Sequence, residues 1–480
     1  MIMPLQSSAP LETFCTGISF PSSIFVLAIT ISTIIMSSQP VDGFASSTVH
    51  DDWHVQPTLK KAFPHMINYE SAKTIAQANA EGQRLVLTLH EDETPDHKPQ
   101  PYDHEVFLKR AIVSDYIGTK KDWPDLRRTL LYMRTEIRFY QEIAPNLRER
   151  GFHAIPRVYL AQHSLEEWMP DSESGIASPG PPPEIYQKFA ETKDPSVATG
   201  SGEIVMDCVK DNEYMQTSPV TLQQSKQCLT AVAQLHGTAW QDSELLSRCI
   251  DRLTRGSYHL QLRNPKELAE MEAAWKHFST QFVEPLQKAG LTERTKDLGT
   301  RLKKAAPAIS EILSPGPTDP YATLVHGDFK AMNVFLPLNN ELTPLLVDYQ
   351  STGVGVGMSD VAYIHHGVLP NQLADGGEEE LVDHYLNELG RNLPEGKTYP
   401  REIAIKHYRM AVIDYGRFIL GRFWKTATPE AFEKKKDSPN TTLINRDVDA
   451  AMAFIDRLER YLAEFEQEQE HGNGKGSSES

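Results

Sequence analysis

The chain is poor in cysteine. Its 480 residues include four, Cys15, Cys208, Cys228 and Cys249, and none forms a CxxC pair or a cluster with histidine. That pattern suits a reducing compartment better than a disulfide scaffold. A surplus of positive charge is also missing. Lys and Arg number 48 against 65 Asp and Glu, a formal net charge of −17. Nucleic acid and anionic membrane surfaces are bound through basic patches, so neither is expected as a partner. The uncharged apolar run at residues 24–36, between Pro21 and Pro40, is short for a membrane span. No glycine-rich phosphate loop stands out; residues 79–83 offer only a turn-like stretch. The glycines at 353, 355 and 357 do not make a dinucleotide fingerprint, because they do not join a first strand to a helix.

The first 48 residues differ in composition from the rest. Residues 24–36 have the length of the apolar part of a signal peptide, followed by the small residues Gly43 and Ala45. The leading part departs from that pattern, with Glu12 and no Lys or Arg. Residues 41–46 (VDGFAS) resemble the junction of two-part plastid presequences. The expectation is a segment removed on the way to a plastid. The alternatives are an uncleaved anchor, the only membrane contact foreseen, with the following domain in the cytosol, and a misassigned start.

The remainder is long enough for two lobes and two cores. Residues 50–70 read as a linker. Residues 84–90 (RLVLTLH), 105–112 (EVFLKRAI), 155–162 and 202–209 read as strands. Residues 92–102 and a Ser/Gly/Pro-rich insertion at 165–200 read as loops. Residues 127–143 form an amphipathic helix that Pro145 should end. Downstream the pattern is helical, clearest at 221–240, 378–390, 400–424 and 448–465. Residues 314–320 break it, 430–437 read as a charged loop, and 466–480 as a disordered tail.

The most informative stretch is residues 324–360. A short apolar segment enters His326-Gly327-Asp328, Asn333 follows five residues after Asp328, and a second apolar strand delivers Asp348. Phosphoryl transfer from a nucleotide needs a carboxylate for the attacking hydroxyl's proton. It also needs an amide oxygen and a second carboxylate for metal ions on the triphosphate. Asp328 suits the first role, Asn333 and Asp348 the second, and His326 a role holding the loop backbone. Lys330 is either a phosphate contact or a solvated loop lysine. Lys109, inside an apolar strand, is either an edge-strand gatekeeper or a lysine for the α- and β-phosphates. Glu136 borders the apolar face of its helix with no basic residue three or four positions away, so it is either a surface glutamate or the partner that holds Lys109.

The order of these residues resembles the aminoglycoside phosphotransferase and choline kinase superfamily, and within it the ecdysteroid-kinase-like branch. Protein kinases carry HRD and DFG, where this chain has His326-Gly327-Asp328 and Asp348-Tyr349-Gln350; it also has no APE-type segment. The resemblance spans roughly residues 70 to 465 and is specific near 324–362. It implies a bilobal α+β protein-kinase-like fold, with a mainly β N-lobe over residues 49–208 and a mainly helical C-lobe over 209–465. It implies ATP and Mg2+ as cofactors and a small-molecule hydroxyl as substrate, choline-, aminoglycoside- or sterol-like. Backbone groups of Asp207, Cys208 and Val209, at the hinge between lobes, would bind adenine. Asp360 would brace the catalytic loop and His236 would be a core hydrogen-bonding residue. Tyr408, Tyr415 and Trp424 are either core or an aromatic cage for an ammonium group. Asn440-Thr441-Thr442 is a glycosylation sequon, relevant only in a lumenal setting. The alternative to an enzyme is a nucleotide-binding pseudokinase or regulatory module.

Overall fold

A computed structural model describes residues 55–76, 81–90, 100–117, 122–170, 180–256, 259–263, 265–339 and 341–476. The 1–48 segment, residues 79–80 and residues 92–99 lie outside these residues, while residues 81–83, expected in a turn, open the strand Glu81–His90. Among the described residues no helix is long and apolar enough to cross a membrane, and Cys208, Cys228 and Cys249 are free thiols.

The N-lobe is an antiparallel sheet. Its strands are β1 (Met66–Ala76), β2 (Glu81–His90), β3 (Pro101–Ile112), β4 (Val158–His163) and β5 (Ser201–Asp207), in the order β1-β2-β3-β5-β4. Alternation does the work expected of it. Leu85, Leu87 and Leu89 of β2, Val106 and Leu108 of β3 and Val205 of β5 turn one face inward. The helix Val55–Ala62 covers that face through Val55 and Leu59, and Thr58 Oγ1 donates to Glu203 Oε1 at 2.9 Å. From residue 55 on, the linker expected at 50–70 is this helix, a short turn and the first part of β1. Two apolar positions four apart are too few to announce a helix, which gains its stability from the sheet it covers.

The opposite face carries Lys109 and Ile204, directly paired across β3 and β5. The helix Trp123–Arg138 lies against this face. Pro145 does not end that helix. The backbone widens into a π-turn over Phe139–Ile143, in which the Ala144 amide donates to Phe139 O, and then resumes as Ala144–Glu149. Pro145 thereby falls in the first turn of the new segment, where no amide hydrogen is needed. The 165–200 insertion is not a bare loop. Leu165, Trp168 and Met169 join a small core with Val113, Leu126 and Leu130, and a helix forms over Glu184–Thr192; residues 171–179 are outside the described set.

The C-lobe is mainly helical. Its helices include Leu222–Thr238, which opens on a Thr221/Gln224 capping box, Gly377–Asn392, Arg401–Arg422 and Val448–Gly476. The last runs beyond residue 465, the expected start of the tail, and Arg301 binds both Glu459 and Glu466, at 2.7 Å each. Most of the charged stretch at 430–437 is the helix Pro429–Lys435, with Thr428 as N-cap and Phe432 buried.

Two small sheets frame the catalytic stretch. β6 (Tyr214–Met215), β9 (Val334–Pro337) and β10 (Leu345–Leu346) pair in the order β10-β9-β6. β7 (Thr254–Arg255), β8 (Ala322–Val325) and β11 (Gly353–Val356) pair in the order β7-β11-β8. The pairings Val354↔Leu324 and Leu345↔Phe335 bring the 326–333 loop and the 347–352 loop to the same place. This is the bilobal α+β protein-kinase-like architecture.

Candidate active site

The 326–333 loop is held by one buried carboxylate. Asp360, in the first turn of the helix Met358–His365, accepts the amides of His326 (2.7 Å) and Gly327 (2.9 Å) and lies 3.0 Å from His236 Nε2. His236 in turn meets the Tyr385 hydroxyl through Nδ1 at 2.8 Å, so it is the core hydrogen-bonding residue expected. Gly357 lets this group close up, since a Cβ there would lie 2.3 Å from the Tyr385 hydroxyl. Gly327 has φ +81°, a turn that side chains rarely adopt. His326 Nε2 lies 2.9 Å from Val347 O, which ties the catalytic loop to the strand end that delivers Asp348. With that nitrogen donating, Nδ1 is the acceptor for the Asp328 amide at 3.4 Å.

The loop presents Asp328, Lys330 and Asn333 together. Lys330 Nζ donates to Asp328 Oδ2 at 2.9 Å, and Asn333 Nδ2 donates to Asp328 O at 2.8 Å. The Tyr363 hydroxyl donates to Asp328 Oδ1 at 2.8 Å. Burial alone would raise the Asp328 carboxyl. The Lys330 charge and hydrogen bond, then the Tyr363 hydroxyl, outweigh it and lower the pKa to about 2. Lys330 is correspondingly raised, its burial overcome by Asp328 and Asp348.

Across the cleft, Lys109 Nζ lies 2.6 Å from Glu136 Oε2 and 2.7 Å from Asp348 Oδ1. Lys109 is thus neither at a sheet edge nor facing solvent, and Glu136 is buried instead of on the surface. Burial raises the Glu136 pKa, and Lys109 only partly offsets it. Two carboxylates overcome desolvation and raise that of Lys109. The second oxygen of Glu136 is buried with no partner among the described residues. It lies in a cleft lined by Lys109, Met133, Ile137, Ile204 and Gln350. Asp348 adopts φ +68°, an uncommon conformation for a residue with a side chain, at the point where its carboxylate must face the cleft.

Of the residues expected at the hinge, Asp207 ends β5 and Cys208 and Val209 follow it. The Asp207 amide donates to Arg157 O (2.9 Å) and the Cys208 amide to Glu105 O (3.4 Å). Tyr408, Tyr415 and Trp424 are core residues. Tyr408 meets His365 Nδ1 at 2.7 Å, Trp424 donates to Asn445 Oδ1 at 2.8 Å, and Tyr415 stacks on His366 at 4.1 Å. They assemble no cage. A second cleft beside Asp328 is lined instead by Ser218, Lys330, Met332, Tyr363, Asn440 and Thr442. Motif reasoning passes over Tyr363. A signal for it exists in the chain, since it follows Asp360 by three residues and shares a helix face with it.

The donor chemistry fits a hard divalent cation. Asn333 and Asp348 offer oxygen atoms, and donation by Asn333 Nδ2 into the loop turns its amide oxygen away from the loop. Among the described residues no group of three or more His, Cys, Asp or Glu could hold a metal alone. A magnesium ion bound by one or two carboxylates and by substrate phosphates needs no such cage.

No curated protein matches the chain. Among solved structures it is similar to an aminoglycoside phosphotransferase from Alicyclobacillus acidocaldarius. Identity is 12%, with 89% of this chain and 98% of that one covered and a TM-score of 0.41. It is similar to an amicoumacin kinase in complex with AMP-PNP, Ca2+ and Ami, at 11% identity, 86% and 94% coverage and a TM-score of 0.44. A choline kinase from Streptococcus pneumoniae matches at 9% identity, 84% and 99% coverage and a TM-score of 0.36. The sequence profile of the ecdysteroid kinase-like family matches residues 102–397, more than half of the chain, including Lys109, Glu136, Asp328, Lys330, Asn333, Asp348 and Tyr363 but not Asn440 or Thr442 of the second cleft. The chain belongs to the ecdysteroid kinase-like family.

Proposed function

We propose that this protein is a small-molecule kinase that uses ATP and Mg2+ to phosphorylate a hydroxyl group. The observation that carries this reading is the gathering of Lys109, Glu136 and Asp348 in one cluster and of Asp328, Lys330 and Asn333 in a second, with Lys330 within electrostatic reach of Asp348. In this reading Lys109 leaves Asp348 for the α- and β-phosphates while Glu136 keeps it in place. Asn333 and Asp348 hold the metal, which when bound neutralises charge on the triphosphate. Lys330 balances charge near the transferred group. Asp328 lies where an acceptor hydroxyl would enter. A carboxylate held at about 2 is a weak base, so its main task is to orient that hydroxyl, with the proton passing late. At the hinge, the Asp207 and Cys208 amides are spent inside the fold. Adenine readout there falls to carbonyl oxygens and to Val209.

The acceptor would occupy the cleft by Met332, Tyr363 and Asn440. The described lining has no carboxylate beyond Asp328 beside it, and the aromatic trio lies in the core. Both favour a neutral hydroxyl compound over a choline- or aminoglycoside-like cation. From the sequence of residues 24–46 alone, we place the domain in a plastid after removal of its leader.

The test is nucleotide consumption by the purified protein against a library of hydroxyl metabolites, with Asp328→Asn as control. Acceptor-dependent consumption that the control lacks supports the kinase. Nucleotide binding without transfer to any acceptor leaves the pseudokinase reading. Failure to bind nucleotide overturns both.

A further inference from the structure

We infer that Tyr363 is a positioning residue for Asp328, and that it links this carboxylate to the wall of the acceptor cleft. The inference rests on the reading of Asp328 as the residue that meets the acceptor. Each carboxylate oxygen has its own donor. Oδ2 takes Lys330 and Asn333 from the same loop, at 2.9 and 3.2 Å, and Oδ1 takes the Tyr363 hydroxyl from a different element. Lys330 is the donor free to move, being on the flexible stem that phosphate would attract. Tyr363 is the fixed one. Its helix is anchored one turn earlier by Asp360, which holds the same loop from behind. The tyrosine therefore fixes the plane of the carboxylate when Lys330 turns away.

Behind Tyr363 stands Tyr415, with ring centroids 4.8 Å apart. Thr442 belongs to the segment that forms the far wall of the cleft with Pro439 and Asn440. That segment is pinned by Arg446, which donates to Thr441 O at 2.9 Å, Lys436 O at 2.6 Å and Ser218 O at 2.8 Å. Tyr363 itself lines this cleft with Asn440 and Thr442, so the donor to the carboxylate stands on the wall an acceptor would touch. The titratable groups around Asp328 are Lys330 and His326 of its own loop, Tyr363, and Tyr415 behind it.

The experiment is steady-state kinetics with an identified acceptor, for the wild type, Tyr363→Phe, Asp328→Asn and the double variant. Removing the hydroxyl while keeping the ring should lower kcat on the order of ten-fold and leave KM for nucleotide unchanged. Because the hydroxyl acts through the carboxylate, Tyr363→Phe should cost nothing further on top of Asp328→Asn. If Tyr363→Phe does not fold, 3-fluorotyrosine at position 363 should change kcat in the wild type and leave the residual rate of Asp328→Asn as it is. Wild-type kcat in Tyr363→Phe, or losses that add fully in the double variant, overturns the positioning role. Normal transfer by Asp328→Asn would overturn the underlying assignment of Asp328 instead.

Discussion

Lys109 Nζ lies 2.7 Å from Asp348 Oδ1, although 239 positions separate the two in the chain. The same ammonium is 2.6 Å from Glu136, so one cation joins the N-lobe sheet, its helix and the 347–352 loop. Lys109→Met would leave two carboxylates facing each other in a mostly buried site. Stability should drop by roughly 1–3 kcal/mol. Glu136, raised in the fold, would then meet its need by taking up a proton, so the drop should be smaller at pH 5 and grow as pH rises. Urea unfolding at several pH values measures this.

Asp348→Ala should remove metal-dependent nucleotide binding, because it takes away the one carboxylate on that side positioned for the ion. Titration calorimetry with and without Mg2+ checks it. Nucleotide affinity that still rises with Mg2+ would contradict the assignment.

Asp328→Asn should reduce transfer by about 10²- to 10⁴-fold. Nucleotide affinity should hardly change, since the residue faces the acceptor side. Steady-state kinetics with a found acceptor, together with nucleotide binding, separates the two effects.

Acid stability carries a second signature of Asp328. Its carboxyl is held at about 2 in the fold, against roughly 3.9 in an unfolded chain. A lowered carboxyl contributes stability that is fully present above about pH 4 and disappears as pH falls through about 2. The wild type should therefore lose on the order of 2–3 kcal/mol relative to Asp328→Asn between those limits. Denaturant midpoints of the two proteins should converge as pH falls.

Asn440 is exposed at the rim of the proposed acceptor cleft. Asn440→Cys labelled with a bulky maleimide should block transfer and leave nucleotide binding intact. By the same geometry a glycan on Asn440 would obstruct the cleft. N-terminal sequencing of the mature protein should find a start near residues 44–48 and a glycosidase assay no shift; a glycan on Asn440 would refute the plastid proposal.

The catalytic stretch is legible in the sequence because its chemistry is local. His326, Asp328 and Asn333 sit within one loop, and Asp348 ends the next short strand, so order and spacing alone display them. The β2 and β3 strands are legible for a similar reason, since alternation at Leu85, Leu87 and Leu89 marks a half-buried sheet. Pairings over long separations are not readable in that way. Lys109 and Glu136 each have two readings in the sequence, and it is a sheet and a helix that put them 2.6 Å apart. Tyr415, Tyr408 and Trp424 suit a cage or a core equally well, because aromatic residues on a helix look alike in sequence, and burial decides between the two. The helix Val55–Ala62 and the π-turn before Pro145 exist only against their neighbours, as short segments cannot meet the cost of ordering by themselves. Tyr363 is the sharpest case. Its place on the helix follows from the chain, but its 2.8 Å contact with Asp328 arises from the way Asp360 draws that helix onto the catalytic loop. Only long-range packing sets such a contact.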